Sequence, residues 1–244
     1  MPEMHEFEAC FNFRDLGGHV TGDGRVVRRG HVFRSGSLHR MTAADRRSFA
    51  RLGITTVVDL RRPDEVGRHP PPPGIAPRIA HLPLETEIPA TEGVAADRRS
   101  EHLGEEYLEI AGAPAGHAAI TAAIDLIAQP RHRVVVHCYA GKDRTGILAA
   151  LLLSALGVDD DAIAADYAAS DAAIAPSIAY AERHEPDWAR LIAGLPDRVL
   201  RAHPRGILTL LGGIRARHDS VRSYLHAIGT REYTLARLEA KLLE

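Results

Sequence analysis

Cysteine is scarce in this 244-residue chain, where Cys10 and Cys138 are the only two. A disulfide framework is therefore excluded as an organising device, and a reducing compartment is expected. Charge of one sign is lacking as well: 30 Lys and Arg stand against 32 Asp and Glu, for a formal net charge of -2. No global basic footprint exists for nucleic acid or an anionic membrane, so any preference for anions has to be local. Long apolar runs are missing too. The longest, Ile147 to Leu156, falls well short of the roughly 20 residues that span a bilayer. Met1 to Glu8 carries Glu3, Glu6 and Glu8 and no apolar core of a signal peptide. The expectation is a soluble, cytoplasmic protein with no stable membrane insertion and no nucleic-acid partner. Internal repeats and low-complexity linkers are also absent, so residues 1–244 are read as one domain. With 45% hydrophobic and 25% charged residues, such a chain can bury a sizeable core.

What is present is α/β patterning in the first two thirds and helical patterning afterwards. Phe11-Asn12-Phe13-Arg14-Asp15-Leu16-Gly17-Gly18 suits an extended lead-in with a Gly-Gly turn. Val20 to Ser35 reads as a short hairpin around Gly22-Asp23-Gly24, with Gly30 to Arg34 as its second arm. Thr42 is placed to cap a helix that has Asp45 in its first turn and Gly53 at its end. Ile54 to Leu60 is a β-branched run of the kind buried in parallel sheets. Arg61 to Glu65 leaves its carboxyl end, where α/β sheets bind ligands. His69 to Gly74 is a polyproline connector, Arg78 to Leu84 a further strand, and Glu85 to Ser100 a long acidic loop of the functional kind.

Helices are expected over 103–111 and 115–128, then a strand over 133–137 and a helix over 145–156 closed by Gly157. Helical composition continues through 159–169, 171–184, 187–193, 204–217, 219–227 and 231–243, with Thr230 as the cap of the last. The segment 159–217 is expected to lie over the site as a helical extension or lid.

The chemistry converges on His137-Cys138-Tyr139-Ala140-Gly141-Lys142-Asp143-Arg144-Thr145-Gly146. This stretch follows Val134-Val135-Val136 and precedes an apolar helix, so it reads as strand, tight loop and helix N-terminus. Backbone N–H groups turned to one point and the helix dipole make such a loop an anion cradle. Cys138 opens it and Arg144 closes it six residues later, which sets a thiolate beside a fixed guanidinium. Other readings fit less well. A nucleotide-binding P-loop needs glycine where Val136 stands and Ser or Thr where Asp143 stands. A Cys–His catalytic pair fails because His137 and Cys138 leave the strand on opposite faces. A zinc site lacks further ligands at metal spacing. A merely structural buried cysteine leaves Gly141, Lys142, Arg144, Thr145 and Gly146 in register unexplained.

On the pattern His-Cys-x5-Arg-Thr the sequence resembles the protein tyrosine phosphatase superfamily, and specifically its bacterial and fungal branch with Gly-Lys-Asp-Arg-Thr-Gly in the loop. Phe11 to Gly18, Phe33-Arg34-Ser35, Leu52-Gly53-Ile54-Thr55, Val58-Asp59-Leu60-Arg61 and Ala165-Asp166-Tyr167-Ala168-Ala169-Ser170 look like further motifs of that branch. The resemblance thus covers most of the chain in order. It implies a protein-tyrosine-phosphatase-like three-layer α/β fold, with a central, mostly parallel sheet flanked by helices and a C-terminal helical extension. It also implies a metal-independent, cofactor-free phosphomonoesterase acting on phosphotyrosine, with phosphoserine/threonine or phosphoinositide as extensions.

The resemblance further suggests a role for each residue. Cys138, whose thiolate a helix N-terminus and a cation favour, would form a phosphocysteine intermediate, and Arg144 would fork two phosphate oxygens. Tyr139, Ala140, Gly141, Lys142 and Gly146 complete the phosphate loop, with Lys142 projecting as a second cation. Thr145 is read both as a hydroxyl donor to the sulfur and as a helix N-cap. A proton donor is also needed, and in this branch an aspartate follows a Leu-Pro pair. Here Leu82-Pro83-Leu84-Glu85-Thr86-Glu87 places Thr86 at that position. Glu85, Glu87 and Asp143 remain as donors, with Asp143 preferred because the loop fixes it. Asp59 is expected to pair with Arg61 or Arg62, while His137, Arg14 and Asp15 support the loop. The alternative that Thr86 leaves open is a module that captures phosphate without turnover.

Overall fold

The β-branched runs form strands in a computed structural model, which describes residues 7–84, 103–195 and 200–244. The strands are β1 (Arg14–Asp15), β2 (Val32–Ser35), β3 (Thr56–Asp59), β4 (Arg78–His81) and β5 (Val134–His137). Helices of the first part are α1 (Ala43–Arg51), α2 (Pro63–Arg68), α3 (Leu103–Gly112), α4 (Pro114–Ile127) and α5 (Asp143–Ala155). Then follow α6 (Asp160–Ala168), α7 (Ile174–His184), α8 (Pro186–Ala193), α9 (Pro204–His218), α10 (Val221–Ala227) and α11 (Glu232–Leu242). Short 3-10 turns occupy Leu38–Arg40 and Ala169–Ala173.

The sheet order is β1-β2-β5-β3-β4, with β1 antiparallel and the other pairings parallel. β5 is therefore central. Its register sets His137 level with Ser35 of β2 and Asp59 of β3, so polar groups gather at the carboxyl edge from which the cysteine loop departs. Strand alternation divides the core into two layers. Val134 and Val136 face one cluster with Ile124, Ile147 and Leu151, whereas Val135 faces another with Phe13, Phe33, Phe49 and Val57. Helices cover both sheet faces, as the resemblance implies.

Local signals account for several boundaries. Thr42 caps α1 reciprocally with Asp45, and Gly53 follows at φ 63°, a left-handed position that glycine tolerates. Pro63 starts α2 and Glu65 turns back to the Arg62 amide. Two expectations fail. Val20 bridges Val26 around the Gly22-Asp23-Gly24 turn, but Val32–Ser35 pairs with β1 and β5 instead. All four residues of that strand are buried, and the sheet interior offers them more apolar contact than an exposed hairpin would. Thr230 does not cap α11 either: Arg231 holds the N-cap position, with no capping bond from its side chain. The Thr230 hydroxyl is buried with no hydrogen-bond partner among the described residues.

Among the described residues, no single helix is long and apolar enough to cross a membrane. The α3–α4 pair reaches that length only jointly, with a bend of 78°, and it gives Tyr107, Ile120, Ile124 and Ile127 to the core.

Candidate active site

The loop from Cys138 to Lys142 is shaped from behind. Asn12 Nδ2 donates to the carbonyls of Ala140 and Gly141 at 3.3 and 2.8 Å, and Arg34 Nη2 donates to those of Gly141 and Lys142 at 2.8 and 3.4 Å. In a trans peptide the N–H lies opposite the carbonyl, so the amides of Gly141, Lys142 and Asp143 turn the other way, into the loop. Gly141 sits at φ 69°, and a Cβ there would come within 2.4 Å of the Ser35 carbonyl oxygen. Backbone cannot yield, so glycine is required at this position.

Arg14 and Arg34 are fully buried and share Asp166, at 2.9 Å from Arg14 Nε and 2.5 Å from Arg34 Nη1. Arg14 also bonds Asn12 and Ser170. Burial and the Arg34 charge lower Arg14 to about 10. Burial would raise Asp166, but the two arginines hold it down at about 2. The motif around Asp166 therefore braces the loop. Asp15 does not touch it. Its carboxylate accepts from the amides of Gly17 and Gly30 at 2.7 and 2.6 Å, because β1 points it at the Gly-Gly turn.

Cys138 is 2% exposed and unpaired. Arg144 faces Glu65 of α2 with both ends of its fork, at 2.6 and 2.9 Å. Burial works against its charge, but Glu65 and the sulfur of Cys138 raise Arg144 above its ordinary range. Behind Cys138, His137 is fully buried and lies 3.5 Å from Asp59. Burial lowers it to about 4 against the pull of Asp59, so it is neutral at pH 7. Asp59 pairs with Arg61, at 2.7 Å, whereas Arg62 turns to Asp64. Cys10 is a contrast. Burial pushes its thiol up to about 12, and its sulfur rests 3.1 Å from the Ser35 hydroxyl.

The first turn of α5 departs from expectation in two places. Lys142 does not project. It is 6% exposed, and its Nζ donates to the carbonyls of Leu200 and Arg201 at 3.1 and 3.3 Å, because the chain entering α9 passes over it. Thr145 is not the N-cap, since α5 begins two residues earlier and Lys142 holds that position. Its hydroxyl is fully buried and has no hydrogen-bond partner among the described residues. The Asp143 side chain is 37% exposed, and its Oδ1 lies 3.4 Å from Lys142 Nζ. The same oxygen accepts from Tyr107 Oη, and Tyr167 Oη stands 3.5 Å away. Gly146 lies under the Tyr167 ring, whose carbons would be 2.8 Å from a Cβ. Glu85 and Glu87 fall outside the described residues.

Tyr139 connects the loop to the helical part, where its hydroxyl donates to Glu185 at 3.0 Å. Glu185 stands at the break between α7 and α8. It also accepts from Arg40 at 2.8 and 2.6 Å and contacts His39 Nε2 at 3.0 Å. The Arg40 guanidinium is ringed by Phe11, Tyr139, Tyr180 and Trp188, at 5.2 to 5.8 Å from their centroids, within cation–π range. Sequence reasoning passed over Glu65, Tyr107, Arg40 and Glu185. Only Glu65 had a local signal, as the third residue of a helix opened by proline. Among the described residues, no three His, Cys, Asp or Glu side chains are grouped to hold a metal ion.

Comparison with known proteins gives the chain's relatives. The chain is 28% identical to the triple specificity protein phosphatase PtpB of Mycobacterium tuberculosis, over 98% of its own length and 99% of that protein. It is 33% identical to a putative tyrosine-protein phosphatase of Cupriavidus necator, over 68% of this chain and 62% of that one. Among solved structures, the catalytic core of the PP-IP phosphatase Siw14 of S. cerevisiae aligns with a TM-score of 0.36 at 16% identity, over 73% of this chain and 90% of that one. TpbA of P. aeruginosa aligns with a TM-score of 0.32 at 19% identity, over 68% and 88%. Residues 5–244 match the model of the tyrosine phosphatase family, and the chain belongs to that family.

Proposed function

We propose that Cys138 attacks the phosphorus of a phosphotyrosine monoester, expels the phenol and forms a phosphocysteine that water then hydrolyses. One observation carries this reading. Cys138 and Arg144 stand at the two ends of a loop whose carbonyls are bonded outward, and Glu65 holds the Arg144 fork in place. Inward amides and a planar guanidinium suit three equatorial phosphate oxygens and the charge that develops on them.

Asp143 is the proton donor of this proposal, since it is partly exposed and fixed within the loop. Thr145, whose buried hydroxyl has no hydrogen-bond partner among the described residues, donates to the sulfur as the thiolate departs. His137, Arg14 and Asp59 act from behind as supports. Lys142 ties the loop to the chain before α9.

The triple specificity in the name of the mycobacterial relative supports a range wider than phosphotyrosine. Phosphoserine/threonine peptides and phosphoinositides are the extensions proposed. Capture without turnover finds no support among the reported relatives, which are named as phosphatases. The test is release of inorganic phosphate, with chelator present, from a phosphotyrosine peptide, a phosphoserine peptide and phosphatidylinositol phosphate vesicles. The phosphotyrosine peptide is expected to turn over fastest. Activity preserved in Cys138→Ser overturns the reading.

A further inference from the structure

Two buried phenols from distant helices meet at one oxygen of Asp143. Tyr107 on α3 and Tyr167 on α6 are each 1% exposed, and their hydroxyls lie 2.7 Å apart. Tyr107 donates to Asp143 Oδ1, and Tyr167 Oη stands 3.5 Å from the same atom. Lys142 Nζ is 3.4 Å from it as well. No hydrogen bond reaches Asp143 Oδ2 from the described residues. The two oxygens of this carboxylate are therefore inequivalent: one is fixed by the protein and the other is open.

Packing of the site favours this convergence. Glycine is a poorer helix former than alanine, yet Gly146 occupies the first turns of α5. It leaves room there for the Tyr167 ring, which any Cβ would meet at 2.8 Å. The preceding residue, Asp166, anchors α6 to Arg14 and Arg34 behind the loop. Consecutive residues of α6 thus brace the loop carbonyls and reach its carboxylate. Burial, with the Asp143 carboxylate alongside, raises both tyrosines above their ordinary range. They therefore stay protonated at neutral pH.

We propose that Tyr107 and Tyr167 are positioning residues for phosphoryl transfer, fixing Asp143 Oδ1 so that Oδ2 is the oxygen that exchanges the proton. The inference rests on Asp143 being the proton donor of the proposed function. In the first step the Sγ–P bond forms, the ester P–O bond breaks, and the proton on Oδ2 passes to the leaving oxygen. In the second, a water oxygen bonds phosphorus, the S–P bond breaks, and a proton of that water returns to Oδ2. Holding Oδ1 removes the rotation that would otherwise turn Oδ2 from the leaving oxygen.

The experiment is a double-mutant cycle on Tyr107→Phe, Tyr167→Phe and Asp143→Asn, read with phenyl phosphate as a poor leaving group and para-nitrophenyl phosphate as a good one. General acid catalysis contributes roughly 10²–10⁴-fold. Misplacing the acid is therefore expected to lower kcat about tenfold on phenyl phosphate and less than about twofold on para-nitrophenyl phosphate, with KM unchanged. In the Asp143→Asn background the Phe substitutions are expected to add nothing further. Losses equal for both leaving groups, or additive with Asp143→Asn, overturn the proposal. The folded fraction of each variant, read from circular dichroism melts, scales its kcat before the comparison, so that partial unfolding is not taken for equal loss on both substrates. If Asp143→Asn itself shows no leaving-group dependence, the donor assignment falls and this proposal with it. If Asp143→Asn shows it and the Phe variants do not, only the role of the tyrosines falls.

Discussion

Arg144 presents both terminal nitrogens to Glu65, Nη1 to Oε2 at 2.6 Å and Nη2 to Oε1 at 2.9 Å. The pair joins the cysteine loop to the start of α2, and the same carboxylate closes that helix by accepting the Arg62 amide at 2.7 Å. A side chain with several rotatable bonds is thus held before substrate arrives. Glu65→Gln keeps the shape and removes the charge, and is expected to lower kcat/KM about 10-fold. Arg144→Lys is expected to lose about 10²–10³-fold in kcat, because a point charge cannot fork two oxygens. Steady-state kinetics on para-nitrophenyl phosphate checks both. A Glu65→Gln enzyme equal to wild type contradicts the role given to the pair.

Glu185 clasps the α7–α8 break to the loop through Tyr139, Arg40 and His39. Burial opposes its charge, but the bonds from His39 and Arg40 hold it at about 2. Its folded value is below the ordinary 4.5, so the clasp is complete above that pH and loosens as pH falls toward about 2. Trp188, the single tryptophan of the chain, lies 5.2 Å from the Tyr139 ring and reports on the contact. Glu185→Gln is expected to shift Trp188 emission to the red and increase its quenching by acrylamide at pH 7. An unchanged spectrum contradicts the clasp.

The strand, loop and helix around Cys138 were legible because their signals are local: Val134 to Val136 for β5, glycine at Gly141, and Cys138 and Arg144 at fixed spacing. Thr42 with Asp45 was legible for the same reason. The partners of the loop were not. Glu65, Tyr107 and Glu185 reach it from other elements, and nothing in their own surroundings encodes which residue they will meet. The expectation for Lys142 failed similarly. Its chain position suggests a projecting cation, and only the tertiary path of Leu200 and Arg201 across it turns that cation inward. The Val20 to Ser35 hairpin misled because turn chemistry at Gly22 to Gly24 is local, whereas the partner of Val32 to Ser35 is chosen by the sheet.

His137 gives a pH signature in stability. Its ordinary value is 6.5, and burial lowers the folded value to about 4. Between those limits the unfolded chain binds a proton that the folded one refuses, so stability falls as pH falls through the window. The full contribution of one such group is about 1.4 kcal/mol per pH unit. His19 and His39 are lowered as well, mainly by burial, and add to the slope. Urea unfolding from pH 7 to pH 4 is expected to show a shallower decline in His137→Gln than in wild type. Equal slopes contradict a neutral, buried His137.

The central claim is that phosphate passes through Cys138. Rapid acid quench during turnover of a radiolabelled phosphotyrosine peptide, followed by peptide mapping, tests it most directly. The account predicts label on the Cys138 peptide, no label in Cys138→Ser, and, with radiolabelled para-nitrophenyl phosphate as substrate, greater accumulation in Asp143→Asn, where only the second step needs the carboxylate. Turnover without a labelled Cys138 peptide, or label on another residue, would contradict it.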